Sequence, residues 1–456
     1  MRDATALISL TMVLLTPAAT NAQPPAPPQP PPVLAIENVT VIPMDSERTL
    51  PAHTVLVVGR RIAAVGPASE VQVPADAVRI DGSGRFVMPG LAEMHGHPPT
   101  DQWPEEMQQR FLRLNVAAGI TTVRGMLGHP HQLVLKQRVA SGEWVGPQLF
   151  IGAPSVNGNA TPTPVHASEQ VTRHRAAGYD LLKVHPGLNV EAFDAVMETA
   201  ASEGLIVGGH IPEAVGLPHA LEKGITSVEH LDGFIEAVQR DGADTGQSQF
   251  FGLNKLDTID PSRINAIVAL ARDAGAYVTP TQALFVTHLG EMSPEQTAAR
   301  EEMRYWPRQQ VTQWTEQVNG FRQGAGNGAM QQMLSFRADL IRRLRDAGVP
   351  FLLGADAPQI FNVPGYATLF ELECIVEAGL TPFEALQSGT LNPARYLGLE
   401  TSFGTVEAGK RADLLLLDAN PLEDISNVRL RAGVVLAGRW LPASELDGWL
   451  TEIANQ

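Results

Sequence analysis

The sequence predicts a mixed α/β protein in which a parallel (β/α)8 barrel of the TIM type is combined with a small β-sandwich domain. Three observations favour this fold class. Short apolar runs alternate with helical segments through the middle of the chain, short alternating strands occupy both ends, and 44% of the 456 residues are hydrophobic. Near-continuous apolar strands alternating with helices are typical of a parallel sheet that is covered on both faces.

Residues 88–402 contain eight runs with the length and apolar character of buried strands. Predicted helices between them include Asn189–Ser202, Ser262–Asp273 and Met333–Asp346, and Thr381 with Glu384 forms a capping-box pattern before another. The predicted strands are Leu91–His97, Thr121–Arg124, Gln148–Ala153, Asp180–His185, Leu205–His210, Ser227–His230, Ala276–Pro280 and Phe351–Ala355.

Two separated segments, 34–87 and 403–446, have the alternating pattern of short β-strands. Within the first, Thr54–Val58 and Arg61–Val65 flank Gly59-Arg60 and predict a hairpin. The simplest arrangement pairs the two segments into one β-sandwich domain, so that the barrel is inserted between them.

The N-terminus has the pattern of a signal peptide over residues 1–22, in which Arg2 precedes the apolar run Ala6–Leu15 and small residues end at Ala22. The run is too short to span a bilayer, which predicts no stable membrane insertion. A proline-rich spacer follows over 23–33. We therefore expect a secreted or periplasmic protein.

Composition and irregular segments limit the possibilities further. A net charge of −16 disfavours nucleic acid as a partner. The single cysteine, Cys374, allows no intrachain disulfide and is expected in the core. Two long polar insertions, Asp241–Asp257 and Val286–Gln332, follow barrel strands and are predicted to be lids.

Metal-binding side chains end several of the apolar runs. A (β/α)8 barrel builds its active site at the C-terminal ends of its strands. Imidazole and carboxylate groups suit a zinc-class cation, and a lysine can join them only if it is modified. Alone, each histidine would be an ordinary core group and the lysine an ordinary ion pair, but together the six predict a metal centre. They are His95, His97, Lys183, His210, His230 and Asp356.

The surrounding motifs resemble those of the amidohydrolase superfamily, and within it the imidazolonepropionase-like group that includes prolidase-type dipeptidases. Two departures are Pro98-Pro99 after the His-x-His pair and Ile-Pro-Glu after His210, which leaves recognition of a substrate carboxylate open. The motifs are VMPGLAEMHGH, AGITTVR, SVEHLDG, LLGADAP, GLTPFEALQSGTLNPARYLG and GTVEAGKRADLLLLD.

The resemblance implies two divalent ions, with zinc expected. His95, His97 and Asp356 would hold one ion, and His210 and His230 the other. It also implies that CO2 carbamylates Lys183, in the fourth predicted strand, and that this carbamate and a hydroxide bridge the two ions.

The implied reaction is hydrolysis of an amide or peptide C–N bond, with dipeptides or N-acyl amino acids as substrates. Asp356 would move the proton from the water to the leaving nitrogen. Arg124, His185, His288 and Tyr366 are candidate substrate contacts, although a structural ion pair is an equal alternative for Arg124.

Other functions remain open at this point. A cyclic-amide, lactone or deaminase-type amidohydrolase is one alternative, and Glu213, three residues after His210, could supply the acid–base group of a deaminase. A non-catalytic metal-binding protein of the cell envelope is another. The sequence leaves the oligomeric state open, with a homo-oligomer among the options.

Overall fold

The computed structural model describes residues 32–243 and 246–456. The predicted signal peptide and all of the predicted spacer except its last two residues lie outside this part of the chain. Within the described ranges, no helix combines the length and hydropathy needed to cross a bilayer.

In the described part of the chain, strands occur in three groups: five before the barrel segment, seven within it and three after it. In chain order they are β1 (Val33–Val41), β2 (Leu50–Val58), β3 (Arg61–Pro67), β4 (Val78–Asp81), β5 (Phe86–Pro89), β6 (Leu91–Gly96), β7 (Ile120–Gly125), β8 (Gln148–Ile151), β9 (Leu181–Val184), β10 (Ile206–Gly209), β11 (Ser227–Glu229), β12 (Tyr277–Thr279), β13 (Leu414–Leu417), β14 (Arg431–Leu436) and β15 (Arg439–Pro442).

Helices separate the strands of the barrel segment and also follow them. They are α1 (Glu105–Ala117), α2 (Pro130–Ser141), α3 (Pro164–Ala177), α4 (Val190–Glu203), α5 (Leu217–Glu222), α6 (Phe234–Ala237), α7 (Ile264–Asp273), α8 (Gln282–Leu289), α9 (Pro294–Ala298), α10 (Arg308–Ala325), α11 (Asn327–Asp346), α12 (Tyr366–Glu377), α13 (Pro382–Ser388), α14 (Leu391–Tyr396) and α15 (Ala443–Ala454).

Strands from both chain ends hydrogen-bond within one eight-stranded sheet, in the order β15-β14-β13-β5-β1-β2-β3 with β4 beside β1. The predicted hairpin is confirmed, because β2 and β3 pair antiparallel and Gly59 adopts the left-handed φ of 58° that the tight connection requires. Buried Val, Ile and Leu side chains of these strands form a core of their own. The sandwich form and the domain limits at residues 87 and 403 stay predictions.

The strands of the barrel segment form two parallel sheets, β6-β7-β8 and β9-β10-β11-β12. Isolated parallel bridges join Gly152 to Leu181 and Val278 to Phe351. The amide of Met94 in β6 donates to the carbonyl of Leu353 at 2.7 Å. The pairings therefore run in chain order from β6 to the segment around Phe351 and back to β6.

The eighth predicted strand, Phe351–Ala355, is not a continuous strand, and the prediction is corrected to a bridge at Phe351 with hydrogen bonds after it. Its amides leave the ladder: Leu353 donates to the carbonyl of Ser388, and Ala355 donates to the carboxylate of Glu93 at 3.1 Å. This departure brings Asp356 to the C-terminal end of the neighbouring strand β6.

Local sequence signals explain several helix limits. The Asn189 side chain accepts from the amide of Ala192 at the start of α4, and Gly204 ends this helix with a φ of 66°. The predicted capping box is confirmed at α13, where Thr381 and Glu384 bond reciprocally. Cys374 is buried in α12, as predicted.

The second insertion is mainly helical, which the sequence reading did not predict. It contains α9, α10 and the first part of α11. Val311, Trp314 and Val318 of α10 follow helical spacing and are buried, while polar residues cover the other face. A narrow apolar stripe in a polar helix has too little hydrophobic signal to stand out from a loop.

Candidate metal centre

The structure brings all six predicted ligands together around one cavity of about 330 Å³. His95 lies in β6 and His97 directly follows it, Lys183 lies in β9, and the other three residues directly follow buried strand segments. Lys183, His95 and His230 are almost fully buried, whereas His97 is the most exposed of the predicted ligands. The cavity is lined by the six together with His185, Phe250, Phe251, Leu284, His288, Gln359 and Ile360.

The donor atoms lie close enough to share one or two cations. His97 Nε2 is 2.5 Å from Asp356 Oδ1, and His95 Nε2 is 3.7 Å from the same oxygen. Lys183 Nζ is 3.2 Å from His95 Nε2. Among the described residues, His95, His230 and Asp356 form a possible metal-binding group, because one imidazole nitrogen of each histidine and one carboxylate oxygen lie within 4.8 Å of one another. The rings of His210 and His230 stack 4.7 Å apart.

The outer nitrogens of three histidines are held by acceptors. His95 Nδ1 donates to Glu229 at 2.7 Å, and His210 Nδ1 donates to Asp232 at 2.5 Å. His230 Nδ1 donates to Thr281 Oγ1 at 2.9 Å, because the Thr281 hydroxyl hydrogen is directed to the carbonyl of Pro280.

These contacts fix the tautomer of each ring. With Nδ1 protonated, Nε2 is left with a lone pair, which is the form that ligates a metal ion, and outer partners of this kind accompany most metal-bound histidines. The donor set therefore fits divalent cations.

Burial and neighbouring charges set the protonation of the centre. Burial and the nearby Lys183 hold the pKa of His95 well below its usual range, and burial with His95 does the same for His230. Burial alone would raise the pKa of Asp356, but the adjacent His95 and His97 hold it below its usual range. Both imidazoles are thus neutral and the carboxylate is ionised at neutral pH, as ligation requires.

Two buried glutamates support the centre and were missed from the sequence. Glu229 receives His95 Nδ1 and also Arg124 Nη2, at 2.9 Å. Glu93 accepts the amide of His95 at 2.7 Å and the hydroxyl of Thr368 at 2.7 Å. Burial raises the pKa of Glu93 to about 7. The sequence offered one signal: each glutamate lies in a predicted buried strand, where a carboxylate needs a charged or hydrogen-bonding partner.

The backbone at two of the predicted ligands is strained. His230 has a φ of 61° and Asp356 a φ of 62°, a region that non-glycine residues rarely adopt. Arg337 of α11 is buried and donates to the carbonyl of His230 at 2.7 Å and to that of Pro280 at 2.5 Å. The surrounding hydrogen bonds therefore hold the His230 turn, as strained functional residues require.

The four candidate substrate residues separate into two pairs. His185 and His288 line the cavity. Arg124 does not: it is fully buried, pairs with Glu229 and lies 4.9 Å from the ring of Tyr396, which favours the structural ion-pair alternative. Tyr366 also lies elsewhere, with its ring 5.2 Å from that of Tyr305. Neither residue is placed to contact a ligand in the cavity.

The acid–base candidate of the deaminase alternative is also engaged elsewhere. Glu213 pairs with the buried Lys255 at 2.6 Å and is not among the residues lining the cavity. Lys255 belongs to the first insertion, so Glu213 forms its ion pair with that segment.

Imidazoles, a lysine and a carboxylate meet at the strand ends of this parallel α/β fold. This arrangement is typical of metal-dependent hydrolases. The model of the amidohydrolase family matches residues 86–441, and the chain belongs to this family. This family usually uses divalent metals.

Relatives in the family have different activities. Adenine deaminase 3 of Rhizobium meliloti (strain 1021) is 22% identical over 413 residues, which cover 86% of this chain and 56% of that protein. The chain thus spans little more than half the length of that deaminase. The human protein named probable imidazolonepropionase is 24% identical over 405 residues, covering 81% of this chain and 85% of its own.

Solved structures share the fold. A Xaa-Pro dipeptidase with bound methionine in its active site superposes with a TM-score of 0.65 at 21% identity, covering 90% of this chain and all of that one. Similarity at this level establishes the shared fold, and the substrate has to be argued from the site.

Proposed function

We propose that the protein is a binuclear, divalent-metal-dependent hydrolase of amide or peptide C–N bonds, with dipeptides or N-acyl amino acids as substrates. One observation carries the proposal: three imidazoles with an unprotonated Nε2 surround Lys183 and an ionised Asp356 in a small cavity. Such a set of neutral and anionic donors suits cations of the zinc class.

The pairing order of the parallel strands supports a closed (β/α)8 barrel around this site. The two parallel sheets are bridged to each other, and the segment around Phe351 bridges β12 and returns to β6. In such a barrel the C-terminal strand ends surround one mouth. The six ligands all lie at or near those ends.

We assign His95, His97 and Asp356 to one ion and His210 and His230 to the second, with zinc as the expected metal. Divalent ions bound there lower the pKa of a coordinated water and polarise a carbonyl oxygen. The outer partners Glu229, Asp232 and Thr281 orient the imidazoles for this task.

Lys183 is assigned as the group that CO2 modifies. Burial lowers its pKa to about 8, so that a useful fraction is neutral amine at neutral pH. The Nζ lone pair then attacks the carbon of CO2, an N–C bond forms and a proton is released. The resulting carbamate would supply an anionic carboxylate to the centre.

Asp356 is assigned as the proton carrier. It is ionised, accepts a hydrogen bond from His97 and lines the cavity. It can take the proton of the attacking water and transfer it to the leaving nitrogen, so that the amine departs neutral.

His185 is a better candidate than Arg124 to contact a substrate carboxylate, because His185 lines the cavity whereas Arg124 is buried in an ion pair with Glu229. Ser155 Oγ accepts from Asn157 Nδ2 at 2.8 Å and lies 3.0 Å from His185 Nδ1, to which it can donate. Burial lowers the pKa of His185 to about 3, so the ring is neutral, and when Ser155 donates to Nδ1 the ring carries its proton on Nε2. That N–H is a donor suited to a free carboxylate.

Asp356→Asn tests the proposed reaction. The amide keeps the shape but cannot carry a proton, so kcat should fall by about 10²–10⁴-fold on any dipeptide or N-acyl amino acid that the enzyme cleaves. Asp418→Asn, in a surface pair with Arg85, is the matched control and should keep full activity. Turnover of Asp356→Asn within about threefold of wild type, far below that range, would remove Asp356 from the mechanism.

Substrate screening separates this function from the alternatives. A panel of dipeptides, N-acyl amino acids, lactones, ring amides and aminopurines should show turnover of the open-chain amides, with KM raised sharply when the carboxylate is amidated. Turnover of ring substrates or aminopurines alone would favour a cyclic-amide hydrolase or a deaminase. Bound metal without any turnover would favour a metal-binding protein of the envelope.

A further inference from the structure

The cavity has an apolar wall that faces the metal-binding side chains. Phe250 and Phe251 of the first insertion, Leu284 of α8 and Ile360 line it. The Phe251 ring is 5.2 Å from the ring of His230. The apolar surface therefore begins directly beside the proposed metal ligands, where the group next to a scissile bond would lie.

A cluster of aromatic rings holds this wall in place. The Phe250 ring is 4.4 Å from that of Phe321 and 5.7 Å from that of Phe285, and the Phe251 ring is 5.1 Å from that of Phe285. Phe250 and Phe251 have φ values of 38° and 57°, which bulky residues adopt only when their surroundings enforce it. The wall is thus pre-formed, which is typical of a binding pocket.

The wall offers no charge to a polar substituent. Gln359, beside Ile360, is polar but uncharged, and His288 has its ring 5.4 Å from that of Phe250. Its Nδ1 donates to the carbonyl of Leu284 at 2.8 Å, and burial lowers its pKa, so the ring is neutral. The ionisable side chains Lys183 and Asp356 also line the cavity, but they belong to the proposed metal centre, beside His95 and His97. A charged substituent against the wall would lose its water without gaining a partner.

We infer that the wall selects substrates with an aromatic or large aliphatic side chain next to the scissile amide, phenylalanine before leucine and both before alanine. This inference rests on the proposed amide hydrolysis and names its substrate class. A cavity of about 330 Å³ has room for one such side chain with its amide and carboxylate. Offset and edge-on aromatic contacts favour a ring over an aliphatic group.

The test compares kcat/KM for N-acetyl-L-phenylalanine and N-acetyl-L-alanine. Wild type should prefer the phenylalanine substrate by at least about tenfold, within the range that a hydrophobic pocket supplies. Phe251→Ala should reduce this preference by at least about tenfold, because the ring contact is gone. Phe383→Ala, which removes a partly buried phenylalanine packed against the main core, is the matched control and should keep the preference.

A binding measurement accompanies the kinetics and does not depend on turnover. Calorimetric titration with free L-phenylalanine and L-alanine should show tighter binding of phenylalanine to wild type and loss of that difference in Phe251→Ala. Phe251→Asn provides a second variant in case Phe251→Ala does not fold, because asparagine tolerates the left-handed backbone at this position. It should abolish the preference as well.

The outcomes distinguish the two proposals. If no amide is cleaved and metal content is normal, the proposed function is wrong. If amides are cleaved but phenylalanine and alanine substrates react alike, or the preference survives in Phe251→Ala and Phe251→Asn, the inference about the wall is wrong while amide hydrolysis stands.

Discussion

Asp232 lies outside the predicted ligand set and contacts one of its members, His210. It is half-buried and accepts the His210 Nδ1 proton at 2.5 Å, which keeps the Nε2 lone pair available. Outer partners of metal-bound histidines contribute to metal affinity through the orientation and basicity of the ring.

We predict that Asp232→Ala lowers the affinity for the second metal ion by about 10–100-fold. Competition against a chromogenic chelator measures this directly. Asp194→Ala is the control, because Asp194 forms a similar 2.7 Å pair with His219 away from the cavity. Equal loss in both variants, or none in Asp232→Ala, would contradict the assigned role.

Glu371 predicts a pH dependence of stability. It is buried, accepts the amides of Gln282 and Ala283, and burial raises its pKa to about 8. The folded state therefore retains a proton that the unfolded chain releases near pH 4.5. The stabilisation is complete below that pH and is lost as the pH rises toward 8.

Denaturant unfolding between pH 5 and 9 should accordingly show this contribution falling with pH in the wild type. Glu371→Gln has no proton to lose, so its unfolding free energy should fall less over the same interval. Parallel curves for the two proteins would mean that Glu371 titrates as it does in the unfolded chain.

For single residues, the sequence predicted the side chains that meet at the cavity but not the residues that support them. His95, His210 and His230 each end an apolar run, and strand ends share one mouth in a barrel. Glu93 and Glu229 act through partners that are distant in the chain, so no local pattern marks their role. The alternatives for Arg124 likewise depended on Glu229, which lies 105 residues away.

The predicted elements that agree best with the structure are those that depend on local sequence signals. The capping box of α13 is an example: Glu384 N donates to Thr381 Oγ1 at 3.2 Å, and Thr381 N donates to Glu384 at 2.7 Å. Such a cap satisfies amides that the first helical turn leaves free.

Thr381→Ala should therefore lower the free energy of unfolding by about 1 kcal/mol without changing kcat/KM. Thr381→Ser keeps the hydroxyl and should stay close to wild type. Denaturant titration of the three proteins decides this, and a Thr381→Ala variant as stable as the serine variant would show that the cap is not a source of stability.

Two elements could not be predicted, for physical reasons. The segment after Phe351 leaves the ladder because Glu93 and Ser388 take its amides, and both are far away in the chain. Helices α9 and α10 carry mostly polar residues, and their burial depends on packing against the rest of the fold.

For the whole molecule, the two β-rich ends illustrate how a non-local feature can still be foreseen. Both had the strand pattern, which predicted that they pair, and β13 pairs with β5 in the shared sheet. The parallel strand order followed from alternating βα units. What the sequence could not supply was the shape of the cavity, since Phe250, Phe251, Leu284 and Ile360 meet only in the folded chain.

Metal stoichiometry tests the central claim most directly. Mass-spectrometric metal analysis of active wild-type protein should give about two divalent ions per chain, because the donor set exceeds one tetrahedral shell. Lys183→Ala should lose bound metal and activity, with partial rescue of activity by short carboxylic acids, while Lys136→Ala, which removes a surface pair with Asp180, should retain both. One ion per chain in fully active wild type, or full metal content and activity in Lys183→Ala, would contradict the binuclear account.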